Sequence, residues 1–290
     1  MTRCSAITKA GKQCSVTSSS SWVDDNGRLV AAPLCRGGDF CVLRAKPFCV
    51  KPILLDNFES MVVFILDLET TGIDIAKDRV VEIAATRAHW DVRMNSECFA
   101  TTVRVDQNIL MTRGLDAFKV HGITNEEIAA GPTFEQAWIR FVAWVEDVTN
   151  HATVFAESDS DDEMSTPMIL QEPIVVLAAH NGRNFDFPLL LCEVLRGNLS
   201  TNVFEQWYFI DTLDASRAQI QYSCVKLQCL CKEMAVASGN AHRALDDCLA
   251  LRNIMNTLAQ RVGMSIQQVL SLYLVKVDLD SSIAQLSVLM

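Results

Sequence analysis

Met61-Val62-Val63-Phe64-Ile65-Leu66-Asp67-Leu68-Glu69-Thr70-Thr71-Gly72 reads as a buried strand that ends on two carboxylates one residue apart. Six consecutive apolar residues suit a strand covered on both faces. Strand residues alternate between faces, so Asp67 and Glu69 point the same way while Leu68 turns into the core. Packing calls for no pair of acids there, whereas a divalent cation does. Ligands made only of oxygen suit Mg²⁺ or Mn²⁺ rather than Zn²⁺. Without a cation, converging carboxylates repel one another and hold their protons more tightly.

Two further motifs lie downstream. Ile174-Val175-Val176-Leu177-Ala178-Ala179 is a second buried strand, followed by His180-Asn181-Gly182 and then Phe185-Asp186. Pro188 stands where the first turn of a helix tolerates it. In open α/β sheets ligands gather at the carboxyl ends of parallel strands, which sets Asp186 near Asp67 and Glu69. The third motif is His242-Arg243-Ala244-Leu245-Asp246-Asp247. Five residues separate His242 from Asp247, about 140° around an ideal helix. His242 therefore belongs to a loop or first turn while Asp247 projects from the helix, and a histidine beside bound water is a natural general base. Singly, each motif also has a structural explanation: a strand-end turn, a helix cap at Asp186, acids at a helix N-terminus.

The coarse pattern around these motifs is mixed α/β. Residues 61–67, 80–88 and 97–105 predict three consecutive strands. Thr133, with Gln136 three residues on, predicts the start of a helix over 134–148. A strand over 207–210 ends at Asp211, and helices are expected over 213–220, 225–235, 243–261 and 265–274. That order gives a mixed central sheet with helices on its faces. The domains expected are a Cys-rich head over residues 1–55, a catalytic body over 60–275 with an acidic disordered insertion near 150–173, and a tail over 276–290. The insertion is centred on Glu157-Ser158-Asp159-Ser160-Asp161-Asp162-Glu163, which is too charged and too polar to pack.

These residues resemble, in order and context, the DEDDh branch of the DnaQ-like 3′–5′ exonucleases, which have a ribonuclease H-like fold. The likeness covers roughly residues 60–260. It runs through Asp67-Leu68-Glu69-Thr70-Thr71-Gly72, Val120-His121-Gly122-Ile123-Thr124, His180-Asn181 to Phe185-Asp186, Asp211-Thr212-Leu213 and His242 to Asp247. The Asp67–Asp186 interval is long, and the acidic insertion accounts for it. The resemblance implies hydrolysis of the terminal phosphodiester from the 3′ end of DNA or RNA. Two Mg²⁺ or Mn²⁺ ions would be held by Asp67, Glu69, Asp186 and Asp247, with His242 as base. It further implies that Thr70, Ile73, Val120 and His121 hold the terminal nucleotide. His121 can equally cap a turn before the helix begun by Thr124. The competing reading is a non-catalytic nucleic-acid or protein adaptor on the same fold.

Composition bounds the rest. The net charge of −10 argues against a generally sticky nucleic-acid binder, but residues 1–51 carry eight Lys/Arg against three Asp/Glu. No apolar run reaches the ~18 residues that span a bilayer. The eleven cysteines do not form a secreted disulfide pattern, and Cys192, Cys224 and Cys248 fall in apolar helical stretches. The expectation is a reduced intracellular protein, in nucleus or cytoplasm before an organelle. The first 23 residues nonetheless lack acids and are rich in Ser and Thr, a composition shared with transit peptides. Cys4, Cys14, Cys35 and Cys41, with Cys49 as a fifth candidate, occupy a segment too small to build a core, which a Zn²⁺ staple would remedy. Reduced loop cysteines are the alternative. Either nucleic acid or a protein partner suits this basic head.

Overall fold

The computed structural model describes residues 2–3, 17–18, 48–55, 58, 60–88, 98–158, 172–219, 224–240 and 242–290. In chain order its strands and helices are β1 (Thr2–Arg3), β2 (Thr17–Ser18), β3 (Val50–Pro52), β4 (Met61–Thr70), β5 (Val80–Arg87) and β6 (Cys98–Thr102). Next come α1 (Gln107–Ile109), a single π-helical turn (Leu110–Gly114), α2 (Leu115–His121), α3 (Asn125–Ala130) and α4 (Phe134–Ser158). The remainder is β7 (Ile174–Ala179), α5 (Asp186–Arg196), α6 (Asn202–Gln206), β8 (Tyr208–Asp211), α7 (Thr212–Gln219), α8 (Leu227–Met234), α9 (Ala244–Val262), α10 (Ile266–Ser271), β9 (Val275–Val277) and α11 (Leu279–Leu289).

Seven strands form one mixed sheet in the order β3-β9-β8-β7-β4-β5-β6. β4 pairs antiparallel with β5 and parallel with β7, which in turn runs parallel to β8. The expected mixed sheet with helices on both faces is this ribonuclease H-like arrangement. β4 is central because its sequence is apolar on both sides. Phe64, Leu66 and Leu68 pack with Trp138 and Phe141 of α4 and Phe187 and Leu190 of α5. Val63 and Ile65 face the other way, onto Leu230 of α8, Leu251 and Ile254 of α9 and Val269 of α10. Each such side chain contributes about 1.5–3 kcal/mol on burial.

Helix α4 begins as its sequence predicts. The Gln136 N–H donates to Thr133 Oγ1 and the Thr133 N–H donates to Gln136 Oε1, a reciprocal cap. The helix does not stop at 148 but continues to Ser158, so the first part of the expected disordered insertion, residues 150–158, is helical. The rest of that insertion, residues 159–171, lies outside the described residues.

Two expected boundaries move. Residues 276–290, anticipated as a tail, supply part of β9 and all of α11, with Leu279 and Leu286 buried in the core. Residues 48–55, assigned above to the Cys-rich head, belong to the body. Phe48 is fully buried against Phe187 and Phe209, and β3 pairs with β9. The helix expected over 265–274 ends at Ser271 because Leu274 and Val275 lead into β9. Cysteine state is mixed: Cys192 and Cys248 are buried free thiols, but Cys224 precedes α8 and is joined to Cys229 by a disulfide.

A candidate metal-binding active site

Alternation along β4 puts Asp67 and Glu69 on the face covered by α9, in line with Met61, Val63 and Ile65. Helix α9 brings Asp247 to the same place. One carboxylate oxygen from each of Asp67, Glu69 and Asp247 lies within 4.8 Å of the others. Asp186 arrives from the opposite layer, as the first residue of α5, and is buried. Its carboxylate accepts the N–H of Leu68, the residue between the two strand acids, and its own N–H.

The electrostatics follow from this crowding. Burial, then the charges of Asp186, Glu69 and Asp247, push the Asp67 carboxyl well above the usual range. Burial and the neighbouring Asp247 raise Glu69 to about 8. Burial raises Asp186 to about 7, against the pull of its two backbone hydrogen bonds, and burial likewise raises Asp247. Four converging carboxylates that resist ionisation fit a divalent-cation site of oxygen donors, where the cation would reverse each shift.

His242 sits outside the helix, as the 140° separation requires. It has φ 69°, and its N–H donates to Asp247 Oδ2 at 3.2 Å. The histidine and the aspartate are thereby locked into one joint at the start of α9.

The expected substrate contacts divide into two kinds. Ile73 and Val120 are exposed, at 89% and 54%. Thr70 and His121 are buried and bonded internally. Thr70 Oγ1 donates to the Gly72 carbonyl at 2.6 Å. His121 Nδ1 accepts the Ile123 N–H at 3.0 Å, and the ring also bonds the Thr70 backbone. Burial lowers its proton affinity, so the ring is a neutral bracket tying the end of α2 to the end of β4. Gly72 fits because any Cβ there would lie 2.6 Å from Asp78 Oδ2. Asp78 holds the loop after β4 by accepting from Thr71 Oγ1, the Asp74 N–H and Arg113. Buried Glu193 of α5 clamps Arg79 and Arg196, and Arg196 donates to the carbonyls of Ile75 and Ala76.

The structure gives roles to Asp211, which the sequence marks as a strand end and motif residue, and to Glu82, which it does not single out. Asp211 accepts the N–H groups of Asn181, Arg183 and Leu213, so it fastens the turn before Asp186 to the end of β8. Glu82 of β5 lies directly opposite Glu69 in register and is buried. Its one local trace is that it is the lone acid in Val80-Val81-Glu82-Ile83-Ala84-Ala85, which by itself says nothing of a site. The candidate zinc ligands Cys4, Cys14, Cys35 and Cys41 lie outside the described residues.

The fold is of the ribonuclease H-like class, and the site is a cluster of converging carboxylates. Residues 64–173 match the RNase_T exonuclease family. The chain is 27% identical over 222 residues to the Arabidopsis thaliana exonuclease DPD1, chloroplastic/mitochondrial, covering 73% of this chain and 60% of that protein. It thus spans about three fifths of that relative's length. Its fold is similar to that of cell-death related nuclease 4 (TM-score 0.50, 17% identity, 75% of this chain and 67% of that one). It is similar in the same degree to a 3′-exonuclease solved for its 3′-end specific recognition of a histone mRNA stem-loop (TM-score 0.50, 15% identity, 69% and 64%). The chain is similar to the DnaQ-like exonucleases in the RNase_T segment and in this relative. Among the described residues, no helix is long and apolar enough to cross a membrane.

Proposed function

We propose that the protein is a 3′–5′ exonuclease that removes nucleoside 5′-monophosphates from the ends of DNA or RNA. The observation that carries this reading is the convergence of Asp67, Glu69 and Asp247 within 4.8 Å, beside Asp186. Two divalent cations, Mg²⁺ or Mn²⁺, held by these four carboxylates would supply charge to offset that developing on the scissile phosphate and its leaving oxygen. The protein's own groups do the rest. His242, on its loop beside Asp247, accepts the proton of the attacking water at a ring nitrogen. Ile73 and Val120 offer exposed apolar surface for the terminal base, on a loop and a helix end held rigid by Asp78 and His121. Support for the 3′ polarity comes from the motif order and from the similarity in fold to a 3′-exonuclease. The head up to residue 47 is read as a separate accessory module stapled by Zn²⁺ through Cys4, Cys14, Cys35 and Cys41.

The test uses 5′-labelled single-stranded DNA, duplex DNA and RNA, each with Mg²⁺, Mn²⁺ or EDTA, beside the Asp67→Ala variant. A cation-dependent ladder shortening from the 3′ end, absent in the variant, is expected. Folded protein that yields no ladder on any substrate would favour the adaptor reading. Shortening from the 5′ end would overturn the polarity.

A further inference from the structure

Glu82 stands in an unusual place for an acid. It is 4% exposed, on β5, directly across from Glu69, and so adds a fifth carboxylate beside the four already described. Both of its oxygens are already in use. Oε1 accepts from Arg243 Nη2 at 2.9 Å, and Oε2 accepts the N–H of Ala244, also at 2.9 Å.

Ala244 is the first residue of α9, and the N-cap residue before it, Arg243, makes no side-chain capping bond of its own. The first N–H groups of a helix have no partner within it, so an acceptor must come from elsewhere. Here it comes from a neighbouring strand. The helix end that Glu82 holds is the joint between His242, two residues earlier, and Asp247, three residues later. Beyond Asp247 the helix is bonded to β5 again, where Cys248 Sγ donates to the Ala84 carbonyl. Ahead of it the other bonds are local, His242 N–H to Asp247 Oδ2 and Asn240 N–H to Asp246 Oδ2, so Glu82 is the polar tie between the start of the joint and the sheet.

We propose that Glu82 is a positioning residue for the catalytic centre: it anchors the His242–Asp247 joint to the sheet and so sets the distance from Asp247 to Asp67 and Glu69. This rests on the functional reading above. Side chains that hold ligands in place typically change metal affinity or activity by about 10–100-fold when altered.

Two substitutions separate anchoring from charge. Glu82→Gln keeps the side-chain length and an acceptor oxygen for the Ala244 N–H. Glu82→Asp keeps the charge but is one methylene short. Both are compared with the parent full-length chain by Mn²⁺ titration and by kcat and KM on a 5′-labelled oligonucleotide. The expected result is a parent-like Gln variant, within about threefold in Mn²⁺ affinity and kcat. The Asp variant should lose about 10–100-fold in Mn²⁺ affinity or kcat with KM within about threefold. The reverse order would mean that the charge acts directly, as a ligand, and would overturn the proposal. Two parent-like variants, or two equally impaired ones, would overturn it as well.

Should Glu82→Asp not fold, Ala244→Pro removes the donor, while adding ring carbons at a fully buried site. Proline is tolerated at the first helical position, and Arg243, at φ −112° and ψ 124°, already has the extended backbone that precedes proline. The same loss is expected from it, and parent-like behaviour would overturn the proposal. A parent that binds Mn²⁺ but cuts nothing would refute the exonuclease reading, while the Mn²⁺ titrations would still decide the role of Glu82.

Discussion

Replacing Glu69 by glutamine should make the cation-free protein more stable while destroying its activity. The Glu69 carboxyl is pushed from 4.5 to about 8, by burial first and by the neighbouring Asp247 second. At about 1.36 kcal/mol per tenfold change in proton affinity, ionising it in the folded state costs about 4–5 kcal/mol. The group is only partly buried, and solvent screening cuts this to about 2 kcal/mol. The sign is fixed by linkage. Because the folded value is the higher one, the stability is fully present below the unfolded value near 4.5 and is lost as pH rises through about 8. In EDTA, Glu69→Gln should therefore match the parent at about pH 5 and melt about 4–8 °C higher at about pH 8. Mn²⁺ should narrow the gap, since a cation at a hundredfold excess over its Kd adds about 2.7 kcal/mol to the parent and less to a variant short of one ligand. Thermal melts at the two pH values, with and without Mn²⁺, check all four arms. A variant less stable than the parent in EDTA at about pH 8 would refute the reasoning, because it would show that the carboxylate is held by favourable bonds rather than by crowding.

His242→Ala should lower kcat by roughly 10²–10⁴-fold with KM little changed, read under single-turnover conditions; a rise in KM with intact chemistry would make His242 a substrate contact. Glu193→Ala leaves Arg79 and Arg196 without their shared buried acceptor and should cost about 1.5–3 kcal/mol in urea unfolding. Phe48→Ala, in a fully buried site lined by Phe187, Phe204 and Phe209, should cost about 3–5 kcal/mol, and a cost near zero would return residues 48–55 to the accessory head.

What the sequence reveals depends on the range over which each signal acts. The β4 strand and its two acids are legible because burial on both faces and a period of two are local properties. The His242–Asp247 joint is legible because helix geometry alone forbids a shared face. Glu82 is not, because its importance depends on β5 pairing with β4 and on α9 ending over that pair. The same holds for His121: its spacing fits a substrate contact or a turn, and only the three-dimensional neighbours Thr70 and Ile123 define the bonds it makes. The strand at Val275–Val277 escaped because three residues carry too little periodicity to separate it from the end of a helix.

The pairing of β3 with β9 joins residues more than two hundred positions apart, so this edge of the sheet closes only when nearly the whole chain is available. β9 lies between β3 and β8, and a chain cut short before Val275 loses its own strand and strips β3 of its partner in the same stroke. β8, the inner strand that delivers Asp211 to the turn before Asp186, would then present bare backbone N–H and C=O groups, a template for a second molecule to pair with. Residues 275–290 therefore cover an edge that would otherwise be open to pairing, and chains cut before Val275 are expected to be lost to aggregates before any defect in catalysis could be seen.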